Sequence, residues 1–449
     1  MNNKGRFTLS ILHLALGVIL LSGFVSMIFS LLIVFFGILF IIKNKNRNNE
    51  AALFGAYLVG AEVLFRMSGG MIFHELPKYS VLLFLLLGLF FERKKHHISV
   101  SYFIYILLLL LGIAFTSIPF SESIRKAITF NLSGPILLGV SAIYFYKRML
   151  TVETILKMLF LMVLPVISML SLLYFKTPEL KSIRFGGVAN FAASGGFGPN
   201  QVATILGMGV FIFTIFLFFK KRIFSTFIID VLFLTYLIFR GLLTFSRGGM
   251  ITAFIALTAF TFFYILSKDD KVKQILKYAG LVSLFGIVLI TYTANVTGGM
   301  LINRYTNKNA AGIEKEDVSA GRVEIFKAEV DGFFENPFFG LGVGGSKYYR
   351  LDQLDKLAAS HNEIGRLISE HGLIGVFVLI LLIAIPLKNI FEQPYIARGF
   401  LISFLLFWFL TINHSAMRIA FPAFIYGLSV VIITSKVPKK ELIELKYLY

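Results

Sequence analysis

The chain has 449 residues, of which 57% are hydrophobic and 15% charged, whereas an ordinary soluble domain carries roughly 25% charged residues; a soluble multidomain enzyme is excluded. Cysteine is absent, which removes disulfides, thiolate metal sites and cysteine nucleophiles. The formal charge of +19 would elsewhere point to nucleic acid, but here its distribution along the chain follows membrane topology.

Apolar stretches run at 11–42, 51–73, 79–91, 100–119, 129–146, 154–175, 199–219, 223–243, 250–266, 275–293, 363–387, 399–412 and 419–434. A hydrocarbon core about 30 Å thick takes roughly 20 helical residues, so the first stretch is too long for one crossing, and Ser22-Gly23 divides it. Basic clusters follow at Lys4/Arg6, Lys43/Lys45/Arg47, Arg93/Lys94/Lys95, Lys147/Arg148, Lys220/Lys221/Arg222, Lys268/Lys271/Lys273/Lys277, Lys388/Arg398 and Lys436/Lys439/Lys440. With the division, all of them fall on one side, as the positive-inside rule requires. The expected fold is an all-α polytopic transmembrane helical bundle of about fourteen spans, with both termini cytoplasmic and no targeting peptide to remove. Residues 1–293 form the first eleven spans, 294–360 a structured, mainly helical extracytoplasmic loop, and 361–449 the last three spans and a cytoplasmic tail. That loop holds eight of the 43 basic and nine of the 24 acidic residues, so it is near neutral.

Between Lys176 and Pro199 an outer connection carries Arg184, and Gly198-Pro199-Asn200-Gln201 starts a span with proline at an ordinary helix-start position. Ser246-Arg247-Gly248-Gly249 forms an outer turn, with Arg240 seven residues earlier on nearly the same helical face. Glycines let a bulky group approach the guanidinium, whose planar two-pronged donors suit phosphate, although an arginine here also serves simply to meet lipid headgroups. In the long loop Ser319 is expected to cap a helix over about 320–334, with Val323, Phe326, Val330 and Phe333 as its apolar face. Arg322 in its first turn brings charge and helix-end amides together. Asn336-Pro337 ends it, and Gly340-Leu341-Gly342-Val343-Gly344-Gly345 makes a turn whose amides either approach an anion or only shape the chain. A short amphipathic piece around Leu351–Leu357 follows.

Ser360 is then expected to cap the next spanning helix, placing His361 in its first turn at the outer interface. Asn362, Arg366 and Glu370 follow on one stripe, with Arg366 and Glu370 paired. Spacing alone leaves His361 either as an ordinary interfacial histidine or as a base. No metal-ligand spacing occurs: the seven histidines are scattered, and His96-His97 lies on the cytoplasmic side.

In order, Gly198-Pro199-Asn200, Ser246-Arg247-Gly248, Gly321-Arg322, Asn336-Pro337, Gly340-Leu341-Gly342, His361-Asn362 and Glu370-His371-Gly372-Leu373-Ile374-Gly375 resemble the O-antigen ligase and polymerase superfamily over about 190–376. The amino-terminal half shows no alignable motif. The resemblance implies an inverting, metal-independent glycosyltransferase without cofactors. It would take a glycan from undecaprenyl diphosphate to an acceptor hydroxyl on a glycan, a lipid A core or a protein. The active site would face the periplasm or cell exterior from the bacterial inner (cytoplasmic) membrane. Family arginines thought to hold the diphosphate correspond to Arg247 and Arg322, and the family histidine to His361. Asn200, Arg184, Arg240, Asn362 and Glu370 form a supporting set. The implied partners are the lipid-linked donor, the acceptor, membrane lipids and polysaccharide-assembly proteins, with no nucleic acid.

The chemistry suits these residues. A diphosphate leaving group needs charge stabilisation, and the acceptor hydroxyl needs a base, for which histidine with an unperturbed pKa of about 6.5 is fit. Nothing in these residues separates ligase from polymerase. The rival class is a flippase or transporter of a lipid-linked glycan, with Glu62, Arg66 and Asp230 as its polar pathway; a scaffolding protein would leave the arginine and histidine positions replaceable.

Overall fold

The computed structural model describes residues 2–92, 97–119, 123–317, 319, 321–355 and 360–434. Arg93, Lys94, Lys95, His96, Ala320, Leu357, Lys436, Lys439 and Lys440 lie outside the described residues, as do the side chains of Lys271 and Lys277. Helices dominate: α1 (Asn3–Ile19), α2 (Gly23–Asn44), α3 (Glu50–Ser68), α4 (Leu76–Phe91), α5 (Val100–Leu111, prolonged by a 3-10 turn at Gly112–Phe115), α6 (Ile124–Phe145), α7 (Val152–Lys176), α8 (Pro199–Phe218), α9 (Phe227–Leu243), α10 (Arg247–Leu266) and α11 (Lys271–Val296) come first. The long connection carries α12 (Met300–Tyr305), α13 (Arg322–Glu335) and α14 (Gly345–Leu354), and α15 (Glu363–Phe391), α16 (Tyr395–His414) and α17 (Ala420–Leu428) close the chain.

Helices thus occupy all fourteen predicted positions. Among the described residues eight helices, α2, α3, α6, α7, α8, α10, α15 and α16, are long and apolar enough to cross a membrane, and α4, α5 and the Gly286–Val296 part of α11 are shorter apolar pieces. The first stretch breaks at residues 20–22, as its length required. The last one differs from expectation, because its helix ends at Leu428 and the chain continues as an extended strand. There β2 (Ile432–Thr434) pairs in parallel with β1 (Met149–Thr151). Asn389 adds a further tie by donating to the Val431 carbonyl at 3.0 Å.

Contacts sort the helix ends into two sets. At one end Arg6 donates to the Arg222 carbonyl at 2.6 Å, Lys221 pairs with Glu153 at 2.7 Å, and Arg148 with Glu92 at 2.9 Å. The basic clusters Lys4/Arg6, Lys147/Arg148 and Lys220/Lys221/Arg222 therefore share an end. The other end gathers Ser68, Lys176, Asn200, Ser246 and the start of α15. Between them α3 is buried along nearly its whole length, while α2 turns Phe24, Leu32 and Phe35 outward.

Prolines inside helices create acceptors that other helices use. Pro135 in α6 cannot donate to the Asn131 carbonyl one turn earlier, and Arg366 of α15 donates to that oxygen at 3.0 Å. Pro386 in α15 likewise leaves the Leu382 carbonyl to the Tyr426 hydroxyl, at 3.0 Å. Each freed carbonyl becomes a cross-helix tie.

Candidate active site

α9 ends at Leu243, and Phe245 takes a left-handed conformation (φ 55°) before α10 begins at Arg247. Arg240 and Arg247 therefore stand on different helices, not on one continuous face. Arg240 is buried and donates to Thr177 Oγ1 at 2.5 Å and the Ala193 carbonyl at 3.0 Å, so it fastens the 177–199 connection. Ser246 Oγ donates to Asn200 Oδ1 at 2.7 Å, which sets the turn that carries Arg247. A Cβ on Gly248 would stand 2.5 Å from the His414 ring, and one on Gly249 would strike the Ala203–Thr204 backbone. The glycines thus serve the close meeting of α8, α10 and α16 behind Arg247, and Arg247 itself donates to Asn307 Oδ1 at 2.5 Å.

Two cations that sequence reasoning had not singled out join from the long connection. Arg304 donates to the carbonyls of Phe245 at 3.0 Å and Gly187 at 2.9 Å, and Lys315 also donates to the Gly187 carbonyl. Arg184, in the same 177–199 connection, is exposed, and its carbonyl accepts from Asn190 at 3.2 Å.

α13 starts at Arg322: Asp317 accepts from Ser319 and from the Gly321 amide, and Gly321 turns the chain at φ 78° just before it. Ser319 Oγ does accept the Val323 N–H, at 3.2 Å. The packed face is Ala328, Glu329 and Gly332, whereas Val323 and Phe326 are exposed, contrary to the apolar-face expectation. An ion pair explains the exchange: Glu329 meets Arg350 of α14 at 2.6 Å and is fully buried. Burial outweighs Arg350 and pushes the Glu329 carboxyl up to about 7.

α15 begins two residues later than a Ser360 cap would place it. Asn362 is the cap, its Oδ1 accepting from Ile364 at 2.9 Å and Gly365 at 3.3 Å. His361 therefore precedes the helix, and its carbonyl takes the Ala416 N–H at 3.1 Å. α15 also breaks at Gly372 (φ 59°, ψ −140°), a conformation reserved for glycine, where Pro337 occupies the space a Cβ would need and accepts the Leu373 N–H at 2.7 Å. The break closes a first segment that runs from Glu363 to His371. There Arg366 pairs with Glu370 at 2.9 Å, as expected, and also with Glu363, while Ser346 donates to Glu370 at 2.8 Å. Glu370 is thus a structural tie to α14. The glycine run is structural too: the Leu341 amide bonds the Ser369 carbonyl at 2.9 Å, and the Val343 amide bonds the Gly112 carbonyl at 3.3 Å.

These elements place Arg418 and Arg322 beside His361, with Arg247 and Arg304 next to Arg322, and Lys315 next to Arg304 and Arg247. Burial lowers the pKa of Arg304, with Arg247 and Arg322 adding to it; Arg322, exposed at its surface, is lowered by the desolvation of its inner side and then by Arg247. Lys315 is lowered by burial, then by Arg304 and Arg247, with Asp317 opposing. Arg418 is lowered by burial and Arg322 and held up by Glu363. The arginines stay protonated throughout. His361 is held down to about 4 by burial, then Arg418, Arg322 and His414, and its Nδ1 is buried without a hydrogen-bond partner among the described residues. Mutual repulsion of this kind favours a ligand with more than one negative charge, beside an imidazole that stays neutral at ordinary pH.

Nothing in the sequence set Arg304, Lys315 and Arg418 apart from the other basic residues of the chain. The polar groups of the transporter reading do not line one path. Glu62 and Arg66 pair at this end, while Asp230 accepts the Ile223 and Phe224 amides at the Arg222 end. No group of three His, Cys, Asp or Glu residues suited to a metal occurs among the described residues.

Residues 231–380 match a family model described as O-antigen ligase. The match takes in Arg247, Arg304, Lys315, Arg322 and His361, and Arg418 lies beyond it. No curated protein matches the chain.

Proposed function

Taking the chain as a multi-pass membrane protein that carries an O-antigen ligase family domain, we propose that it transfers a glycan from undecaprenyl diphosphate to an acceptor hydroxyl outside the bacterial inner membrane. The observation that carries this reading is that Arg322 and Arg418 stand beside His361 while Arg247 and Arg304 adjoin Arg322. Arg247 and Arg322 grip the diphosphate and stabilise the charge that grows on its bridging oxygen as the bond to the sugar breaks. His361 removes the proton of the acceptor hydroxyl, whose oxygen forms the new bond to the anomeric carbon from the opposite face and inverts it. Undecaprenyl diphosphate leaves with the electron pair. A bound diphosphate offsets the arginines that depress His361, so the histidine is a stronger base with donor in place than without it.

The charge needed by the leaving group is supplied by guanidinium groups, so the reaction is metal-independent. Asn200 and Asn362 act as supports, Asn200 through the Ser246-Arg247 turn and Asn362 by starting α15 directly after His361. The acceptor is a glycan or lipid A core in the cell envelope, in a surface polysaccharide or lipopolysaccharide route, with polysaccharide-assembly proteins as partners.

The test uses purified protein in detergent, with donor, acceptor and a chelator. Wild type should release undecaprenyl diphosphate, and His361→Ala should lose at least about 100-fold in turnover while still binding donor. A transporter releases none with either protein, and an absolute need for a divalent ion would overturn the assignment of charge to the arginines.

A further inference from the structure

Glu62 and Arg66 lie one helical turn apart on α3 and pair at 2.6 Å, with almost no exposure. An ionised pair inside a buried helix is costly and seldom adds net stability. Both partners reach beyond the pair to the same short connection between α16 and α17. Glu62 accepts the Ala420 N–H at 2.6 Å, and Arg66 donates to the Arg418 carbonyl at 3.2 Å. Arg66 also meets His74 Nε2 at 2.6 Å. The connection itself turns sharply, with Ala416 at φ 51°.

That clamped connection holds the proposed base. The Ala416 N–H donates to the His361 carbonyl at 3.1 Å, and Arg418 Nη2 donates to the Ser360 carbonyl, also at 3.1 Å. The Arg418 charge is therefore fixed beside His361, with Arg322 and Glu363 as its charged neighbours. Glu363 offsets part of the Arg418 charge, and the like charge of Arg322 lies beside it next to the same histidine.

We propose that Arg418 is a third cation for the donor diphosphate, and that the buried Glu62–Arg66 pair positions both Arg418 and His361 by clamping the 416–420 connection. The proposal rests on the diphosphate reading above. Glu62 and Arg66 are positioning residues, since neither touches the ligand.

The experiment measures inhibition of donor turnover by inorganic diphosphate in the full-length protein. Arg418→Gln keeps a donor for the Ser360 carbonyl and removes the charge; it should weaken inhibition by about tenfold or more, in line with loss of a charge-assisted contact. Arg418→Lys should recover part of that loss. Glu62→Gln keeps an acceptor for the Ala420 amide and loses the ion pair; it should weaken inhibition less, and in the Arg418→Gln background it should add under about twofold, because it acts through Arg418. Thermal unfolding of each variant separates these effects from global loss of structure. If Arg418→Gln stays within about twofold of wild type while Arg247→Ala loses inhibition, the third-cation role is overturned. Full additivity of Glu62→Gln and Arg418→Gln overturns the clamp. Unchanged inhibition in Arg247→Ala and Arg322→Ala as well would instead defeat the diphosphate reading itself.

Discussion

The depression of His361 to about 4 fixes the pH behaviour of the reaction. A base works only when unprotonated, so activity should persist as pH falls below the ordinary histidine value of about 6.5 and disappear as pH passes through His361's own value. Four causes set that value in the free protein: burial first, then Arg418 and Arg322, with His414 behind them. Donor brings two phosphate charges against the same arginines and so raises it. The acid limb of kcat/KM, which reports free enzyme, should therefore lie near 4, and that of kcat, which reports the donor complex, at higher pH. Arg322→Gln removes one of the depressing charges and should move the kcat/KM limb upward by about one pH unit, the low end of what one nearby charge contributes. Initial rates of undecaprenyl diphosphate release across a constant-ionic-strength pH series measure both limbs. A wild-type kcat/KM limb at about 6.5, unmoved by Arg322→Gln, would refute the electrostatic coupling of His361 to the arginines.

Arg247→Lys should fail nearly as badly as Arg247→Ala in donor turnover, because a point charge cannot reproduce both the Asn307 contact and a two-pronged grip on phosphate; a lysine variant with most of its activity would reduce Arg247 to an interfacial charge. Gly372→Ala forces a glycine-only conformation and a clash with Pro337, so it should cost about 1–3 kcal/mol of backbone strain or more, read as a lowered unfolding temperature. Reporter fusions after Lys45 and after Asn309 should report opposite sides of the membrane, and the same side for both would remove the proposed topology.

Length and charge made much of the fold legible. The first apolar stretch exceeded one crossing and broke where Ser22-Gly23 marked it, and the helices fall where hydropathy placed them. Other features depend on partners far along the chain. Glu329 occupies the packed face of α13, where it pairs with Arg350 from far along the chain, and a periodicity argument that counts apolar residues selects Val323 and Phe326 instead. The cap of α15 passed to Asn362 because Ser360 is engaged with the Asn362 backbone, a competition between neighbours that residue type does not settle. Of the site, Arg247, Arg322 and His361 stood out by motif, whereas Arg418 gains meaning only through contacts with Ser360 and with Arg66 in α3. Glu370, Arg240 and Arg366 looked alike in sequence as arginines and a carboxylate near the site, yet each is spent on fastening helices.

The most direct test of the account is a structure of the His361→Ala protein with an undecaprenyl-diphosphate-linked glycan bound. The account predicts phosphate oxygens within hydrogen-bond reach, about 3 Å, of Arg247 and Arg322, and the anomeric carbon facing position 361. A diphosphate seated away from these arginines, with the sugar turned from position 361, would contradict it.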